Sequence, residues 1–256
     1  MEKTMNEEHQ PSRARRNIAI HLAIMAIATL VVAQVASAQG PAAQLQQLGM
    51  SQQDAERLGR LAREAMAPVI EDARWRRRLL SDPRVRRASS QAEAEAAAGV
   101  VGQELVREGL YQLPVERLRR WHELRGRMTA RSQPLCAALH DGAASSALTM
   151  SALAGLPDED VRDWFAIRAE ATLAALSSDA ARPRPDIDEW LQGWLAETDY
   201  ATRAALLAAE SGDERARCAA TRAVHRSISD LRGDALERAL RASASGTGPS
   251  PQGTEN

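Results

Sequence analysis

Lysine is almost missing from this chain of 256 residues, and Lys3 is its only example. Arginine supplies the rest of the positive charge, and the formal net charge is −1. A chain without lysine after position 3 has no residue for a phosphate-loop lysine, a Schiff base or a Ser–Lys dyad. The nearly balanced charge also gives no reason to expect a nucleic-acid partner.

Aromatic residues are scarce too, at 3% of the chain. The core must therefore consist mainly of Leu, Ala and Val, and Leu and Ala are strong helix formers. No segment alternates apolar and polar residues in the way that a half-buried strand does. The patterns G-x-S-x-G, H-E-x-x-H and G-x-G-x-x-G are also absent, so no familiar enzyme class and no cofactor is indicated.

The first 38 residues have the layout of an export signal. A polar stretch with three arginines precedes an apolar run from Ile18 to Ala33, and small residues follow at Ala36 and Ala38. This order of charged, apolar and small residues is typical of a secretory signal that is removed by cleavage, here after Ala38. We therefore expect a periplasmic or secreted protein.

The alternative is a segment that stays in the inner membrane as an anchor. The apolar run is shorter than the roughly 20 residues that a spanning helix needs. Arginines before the run would still keep the N-terminus in the cytoplasm and place the rest of the chain outside. Contact with the membrane is expected only in this case.

The remaining chain predicts an all-α fold of roughly nine helices, as a multi-helix bundle or a short helical array. We expect the helical domain to span residues 39–242 and residues 243–256 to form a disordered tail rich in Ser, Gly and Pro. Ser51 and Asp54 have the spacing of a helix cap. Pro68 is expected to interrupt the first helix, and Gly109 is expected to end the helix that begins near Gln91.

Two segments share the pattern L-P-x-E-x-[L/V]-R-x-W-x-x-[L/I]-R. The first runs from Leu113 to Arg125 and the second from Leu156 to Arg168. Proline and glutamate both suit the first turn of a helix. The shared pattern indicates either a duplicated helical pair or two helices with the same start. Because each tryptophan lies on an apolar helical stripe, we expect Trp121 and Trp164 in the core.

The chain has two cysteines, Cys136 and Cys218. In an oxidising compartment such a pair indicates a disulfide. A metal site is an alternative, because Cys136 and His140 lie one helical turn apart and Cys218 and His225 lie two turns apart, which gives two sulfur and two nitrogen ligands. Two free thiols are the third option.

Arginines cluster twice around a tryptophan. Arg74, Arg76, Arg77 and Arg78 surround Trp75, and this first cluster is a candidate anion-binding site. The alternative is a solvent-exposed helix face balanced by nearby acids. The second cluster surrounds Trp121 and contains Arg117, Arg119, Arg120, Arg125, Arg127 and Arg131.

These features favour a non-enzymatic, exported helical protein that binds another protein or a component of the bacterial cell envelope, or has a structural role there. One alternative is an enzyme that uses the pairs His122–Glu123 or His140–Asp141, although neighbours on a helix point about 100° apart. Another alternative is a metal-responsive periplasmic protein that uses the Cys/His set.

Overall fold

The computed structural model describes Leu45, Gln46 and residues 49–177, 186–210 and 212–245, with the backbone alone for residues 187–189. Between Gln52 and Ser245 it contains twelve α-helices, and the described residues contain no strand. The all-α prediction is confirmed, with more helices than the nine expected. The predicted export signal, residues 1–38, lies outside the described residues.

The helices are numbered in chain order. Their bounds are α1 Gln52–Glu71, α2 Ala73–Ser81, α3 Pro83–Arg87, α4 Gln91–Leu110, α5 Val115–Arg131, α6 Gln133–His140, α7 Ser146–Ala154, α8 Asp158–Leu176, α9 Ile187–Glu197, α10 Tyr200–Glu210, α11 Glu214–Asp230 and α12 Gly233–Ser245.

Side-chain caps begin many of these helices. The Ser51 hydroxyl accepts a hydrogen bond from the backbone N–H of Asp54, which starts α1 where the sequence predicted. Ser90 caps α4 in the same way. The two Leu-Pro pairs precede α5 and α8, where Pro114 and Pro157 hold nearly equal extended backbone angles. Local sequence therefore sets most helix starts.

Pro68 does not interrupt α1, so that prediction is wrong. The helix continues through Pro68 to Glu71 and breaks at Asp72. Pro68 lies in the last turn of α1, and the next residue, Val69, is buried in the core, so its packing offsets the backbone hydrogen bond that proline cannot donate. The Asp72 side chain accepts from the backbone N–H of Arg74, which begins a new helix at that point.

Gly109 does not end α4 either, because the helix continues to Leu110. This glycine serves a close approach between helices. A Cβ atom at Gly109 would lie 1.8 Å from the carbonyl oxygen of Ala171 in α8. The backbones of α4 and α8 therefore meet at a point where only glycine fits.

Helix α8 is the centre of the molecule. It packs along α1 on one side and α4 on the other, and it also contacts α5. The main core cluster contains Trp164 and Ile167 of α8, while Ala169 of the same helix belongs to a second cluster around Trp75 and Val101. One helix thus joins both parts of the core.

The C-terminal helices cover the other side of α5. Helix α11 packs on α6 and α10, and α12 packs on α5. The expected tail was to begin at residue 243, but α12 extends to Ser245. Ala242, Ala244 and Ser245 are buried, so core packing explains the longer helix. Residues 246–256 lie outside the described residues.

Candidate functional site

Helices α5 and α8 meet at a stacked pair of tryptophans. The ring centroids of Trp121 and Trp164 are 3.9 Å apart and the rings are tilted by 17°. These residues occupy equivalent positions in the two similar segments. The residues before them, Arg120 and Asp163, are also equivalent, and they form an ion pair at 2.7 Å. Equivalent residues therefore face each other across the crossing point.

Two further ion pairs show how the helices are related. Arg117 contacts Glu170 at 2.7 Å, and Arg127 contacts Asp160 at 2.7 Å. Positions 117 and 160 are equivalent in the similar segments, and positions 127 and 170, two residues after the segments end, are related by the same offset of 43 residues. If α5 and α8 exchanged places, the pair between positions 117 and 170 would become the pair between positions 160 and 127. This pattern requires antiparallel helices related by an approximate two-fold axis through the tryptophan stack.

A cavity of about 590 Å³ lies beside this crossing. This volume falls within the range of about 300–1,000 Å³ that is typical of small-molecule sites. We call it the arginine cavity. Its lining residues come from seven helices and the turn after α6, and they are Val100, Gln103, Glu104, Val106, Arg107, Leu110, Trp121, Arg125, Leu139, Gly142, Ala144, Ser146, Thr149, Met150, Trp164, Arg168, Trp190, Ala242 and Ser243.

Two arginines of this cavity have no counter-ion among the described side chains. Arg125 and Arg168 are partly buried, and within the described residues neither guanidinium forms an ion pair or a hydrogen bond. Burial lowers the pKa of Arg125 to about 10, and burial also lowers the pKa of Arg168. Arg125 still carries its charge at neutral pH. The cavity therefore offers positive charge and unused donors to an anion.

Two unused N–H groups accompany these arginines. The indole nitrogens of Trp121 and Trp164 are buried, and neither has an acceptor in the described structure. Buried polar groups in proteins are nearly always hydrogen-bonded. Both tryptophan side chains also border the arginine cavity.

The other charges on the cavity wall do not neutralise it. Glu104 is engaged by Arg84, whose guanidinium donates to both carboxylate oxygens at 2.6 Å. These hydrogen bonds hold the pKa of Glu104 below its usual value. Arg107 adds a third positive group to the wall. Among the described residues, the lining of the arginine cavity is thus net positive and otherwise mostly apolar.

A smaller cavity of about 170 Å³ adjoins it and shares Arg125, Leu139 and Ser243. It contains a stacked pair of imidazoles, His122 and His225, whose centroids are 3.7 Å apart. We call this second space the histidine cavity.

Nε2 of His122 lies 3.1 Å from the carbonyl oxygen of His225. A carbonyl can only accept, so Nε2 of His122 carries the proton.

Burial keeps both imidazoles neutral. It is the main cause that lowers the pKa of His122 to about 3 and of His225 to about 4, and the charge of Arg125 lowers both further. Gly126 allows the close packing, because a Cβ there would lie 2.1 Å from Nε2 of His225.

A disulfide closes this region. Cys136 of α6 and Cys218 of α11 are bonded, with their Cα atoms 4.9 Å apart, and no described cysteine is free. Both sulfurs are used in this bond, so the proposed metal set of Cys136, His140, Cys218 and His225 contains no thiolate. The described residues hold no cluster of three or more metal-ligating side chains.

The predicted anion site at the first arginine cluster lies on α2. Arg74 pairs with Asp72, and Arg78 pairs with Asp82. The bond from Arg74 is the main cause that lowers the pKa of Asp72 to about 2. Arg76 and Arg77 are exposed, and Arg76 donates to a backbone carbonyl of Glu71. Two of the four arginines thus form ion pairs with Asp72 and Asp82, the residues that cap α2 and α3.

The candidate His/acid pairs point to different partners. His122 is buried in the imidazole stack, while Glu123 is exposed and lies 3.7 Å from Arg120. His140 borders the histidine cavity, while Asp141 pairs with Arg217. Within the described residues, the hydrogen bonds of His122 run to a carbonyl and a hydroxyl oxygen, and no histidine bonds to a carboxylate.

The sequence did contain a signal for the arginine cavity. Arg125 and Arg168 are the last residues of the two similar segments, one helical turn after Trp121 and Trp164. Residues one turn apart lie on the same helix face. The shared pattern therefore marked both arginines as neighbours of a tryptophan, but it did not show that the two segments meet.

Comparison with protein-family models, with curated proteins and with solved structures finds no match to this chain. In the part of the chain that the structure describes, no helix combines the length and the apolar character needed to cross a membrane.

Proposed function

We propose that the protein is an exported binding protein for an amphipathic organic anion, which occupies the arginine cavity. The proposal depends chiefly on Arg125 and Arg168, two partly buried guanidinium groups on one cavity, neither of which pairs with a carboxylate of the described part of the chain. A buried charge without a counter-ion is unfavourable, and a bound anion would supply that counter-ion. Guanidinium groups also match the geometry of carboxylates and phosphates.

Other features support this proposal. Val106, Leu110 and Met150 give the cavity an apolar wall for the uncharged part of the ligand. The disulfide fits export to an oxidising compartment, as does the export signal predicted from the sequence. A ligand-binding role without chemistry also agrees with the absence of familiar enzyme motifs.

Octanoate is a suitable first probe, with octan-1-ol as the uncharged control of equal chain length. We expect saturable binding of octanoate and little binding of octan-1-ol, measured by calorimetry and by the fluorescence of the tryptophans at the cavity. Replacement of both arginines by methionine keeps much of each apolar stem but removes both charges. The double variant R125M/R168M should lose octanoate binding.

Arg119 provides the matched control, because it lies on the same helix α5 and its side chain is exposed. R119M should bind octanoate like the unchanged protein. Thermal unfolding adds a second measurement, because removal of an uncompensated charge should not lower the melting temperature. Binding that persists in R125M/R168M, or a failure of octanoate, benzoate and octyl phosphate alike, would overturn the proposal.

A further inference from the structure

The arginine cavity repeats its polar groups around one axis. Arg125 and Trp121 of α5 are equivalent to Arg168 and Trp164 of α8, and exchange of the two antiparallel helices maps one set onto the other. Each set contributes one guanidinium and one tryptophan side chain to the lining of the same cavity. The cavity therefore has two similar sets of side chains, each with one guanidinium as a hydrogen-bond donor.

The two donor sets lie apart along the helices. The ion pair between Arg117 and Glu170 places position 168 of α8 close to position 117 of α5 along the helix axis. Position 125 lies eight residues further along α5, which corresponds to about 12 Å at a rise of 1.5 Å per residue. Helical side chains tilt toward the N-terminus, so each arginine leans back toward its own tryptophan. The distance between the charged groups is then smaller than this backbone spacing.

The tryptophan stack lies between the two arginines along the helix axis. The stacked faces of Trp121 and Trp164 lie at the crossing point, and Leu110 and Val106 of α4 border the same space. One ligand that fills this space therefore meets a positive group near each end and aromatic carbon in the middle.

We infer that the ligand is a dianion that has an acidic group at each end of an apolar spacer, as in a straight-chain dicarboxylate. This inference rests on the proposed function and narrows its ligand class. One carboxylate accepts hydrogen bonds from Arg125 and the other from Arg168, while the spacer lies along the tryptophan stack. A ligand with one anionic group would leave one of the two arginines without a counter-ion.

The test compares suberate, a dicarboxylate of eight carbons, with octanoate, a monocarboxylate of the same length. Calorimetry gives the affinity and the stoichiometry of each. We expect one suberate per chain, bound at least tenfold more tightly than octanoate, because a second charged hydrogen-bonding contact typically contributes that factor or more. A series from succinate to sebacate should show an affinity maximum at an intermediate length, because both ends must reach an arginine.

The single variants R125M and R168M give an independent readout. Each should weaken suberate binding by about tenfold or more and bring it close to the affinity for octanoate, because each removes one of two similar contacts. R119M should leave the preference for suberate unchanged.

Three results would overturn the inference and leave the proposed function in place. They are equal affinities for suberate and octanoate, binding of two octanoates per chain, and an effect of only one of the two arginine variants. Failure of both ligands, together with failure of the other monoanions, would reject the proposed function as well.

Discussion

Single glycines set how closely the long helices approach each other. At Gly109 the backbone of α8 leaves no room for a methyl group, since a Cβ would lie 1.8 Å from the Ala171 oxygen. At Gly99 of the same helix α4, an added Cβ meets nothing within 4 Å. The same substitution should therefore have opposite effects at the two positions.

G109A is expected to destabilise the protein by about 3 kcal/mol or more, because α4 and α8 must separate. G99A is expected to stabilise it by about 0.5–1 kcal/mol, since alanine is the better residue in a helix interior. Urea unfolding measures both values. Similar stabilities of the two variants would contradict the close approach of α4 and α8.

The stacked histidines predict how stability depends on pH. Both folded-state pKa values, about 3 for His122 and about 4 for His225, lie below the unfolded value of 6.5. Between the folded-state and the unfolded-state pKa values, the unfolded chain binds more protons at these histidines than the folded chain does. The free energy of unfolding therefore falls as the pH falls from about 6.5. His122 alone should account for a loss of about 2 kcal/mol at pH 5, where few carboxylates have yet been protonated.

Urea unfolding between pH 7 and pH 5 tests this expectation. The variants H122Q and H225Q should each show a smaller loss of stability over this range than the unchanged protein. Arg125 is the charged group that acts on both rings. His140 borders the same cavity but does not belong to the imidazole stack, so H140Q is the matched control. An equal pH dependence in H122Q, H225Q and the unchanged protein would contradict this expectation, because the imidazoles would then bind protons equally in the folded and the unfolded chain.

At the scale of elements, a buried carboxylate holds α5 against α8. Asp160 is only 3% exposed and accepts hydrogen bonds from Arg120 and Arg127. D160N should lower the free energy of unfolding by about 1–3 kcal/mol, because two guanidinium groups lose a charged acceptor in a buried place.

Glu159 is the control for this prediction. It precedes Asp160 in the first turn of α8, but its side chain is exposed. E159Q removes the same charge and should change stability by no more than about 0.5 kcal/mol. Thermal and urea unfolding of the two variants should therefore differ clearly. Equal effects would mean that net charge in the first turn, and not the buried ion pairs, holds α8.

Sequence patterns predicted where the helices begin better than where they end. Ser51, Ser90 and the two Leu-Pro pairs act within a few residues, so their effect can be predicted without the fold. The predictions that Pro68 interrupts a helix and that Gly109 ends one are wrong, because the helix bounds depend on burial of Val69 and on contact with Ala171. These tertiary contacts override the local preference to end a helix.

The candidate site also depends on tertiary contacts that the sequence does not reveal. The first arginine cluster is conspicuous in the sequence, yet Arg74 and Arg78 are paired with Asp72 and Asp82. Arg125 and Arg168 are 43 residues apart in the chain, and only the crossing of α5 and α8 brings them to one cavity. A pattern of residue types does not show which charges lack a partner after folding.

At the scale of the whole molecule, the disulfide joins α6 to α11 over a separation of 82 residues. The loop-entropy relation gives a stabilisation of about 4–5 kcal/mol for a loop of this length. The double variant C136A/C218A should therefore have a free energy of unfolding lower by this order. Urea unfolding measures the loss, and a change below about 1 kcal/mol would contradict the prediction.

The ion pair between Arg120 and Asp163 lies at equivalent positions of the two crossing helices, α5 and α8. If two identical helices crossed on a two-fold axis, the residue at this position would face its own copy, and either two arginines or two aspartates would repel each other. Because α5 and α8 belong to one chain and differ in sequence, opposite charges can occupy the two equivalent positions. A symmetric homodimer of either helix could not reproduce this contact, so the crossing requires two unequal halves.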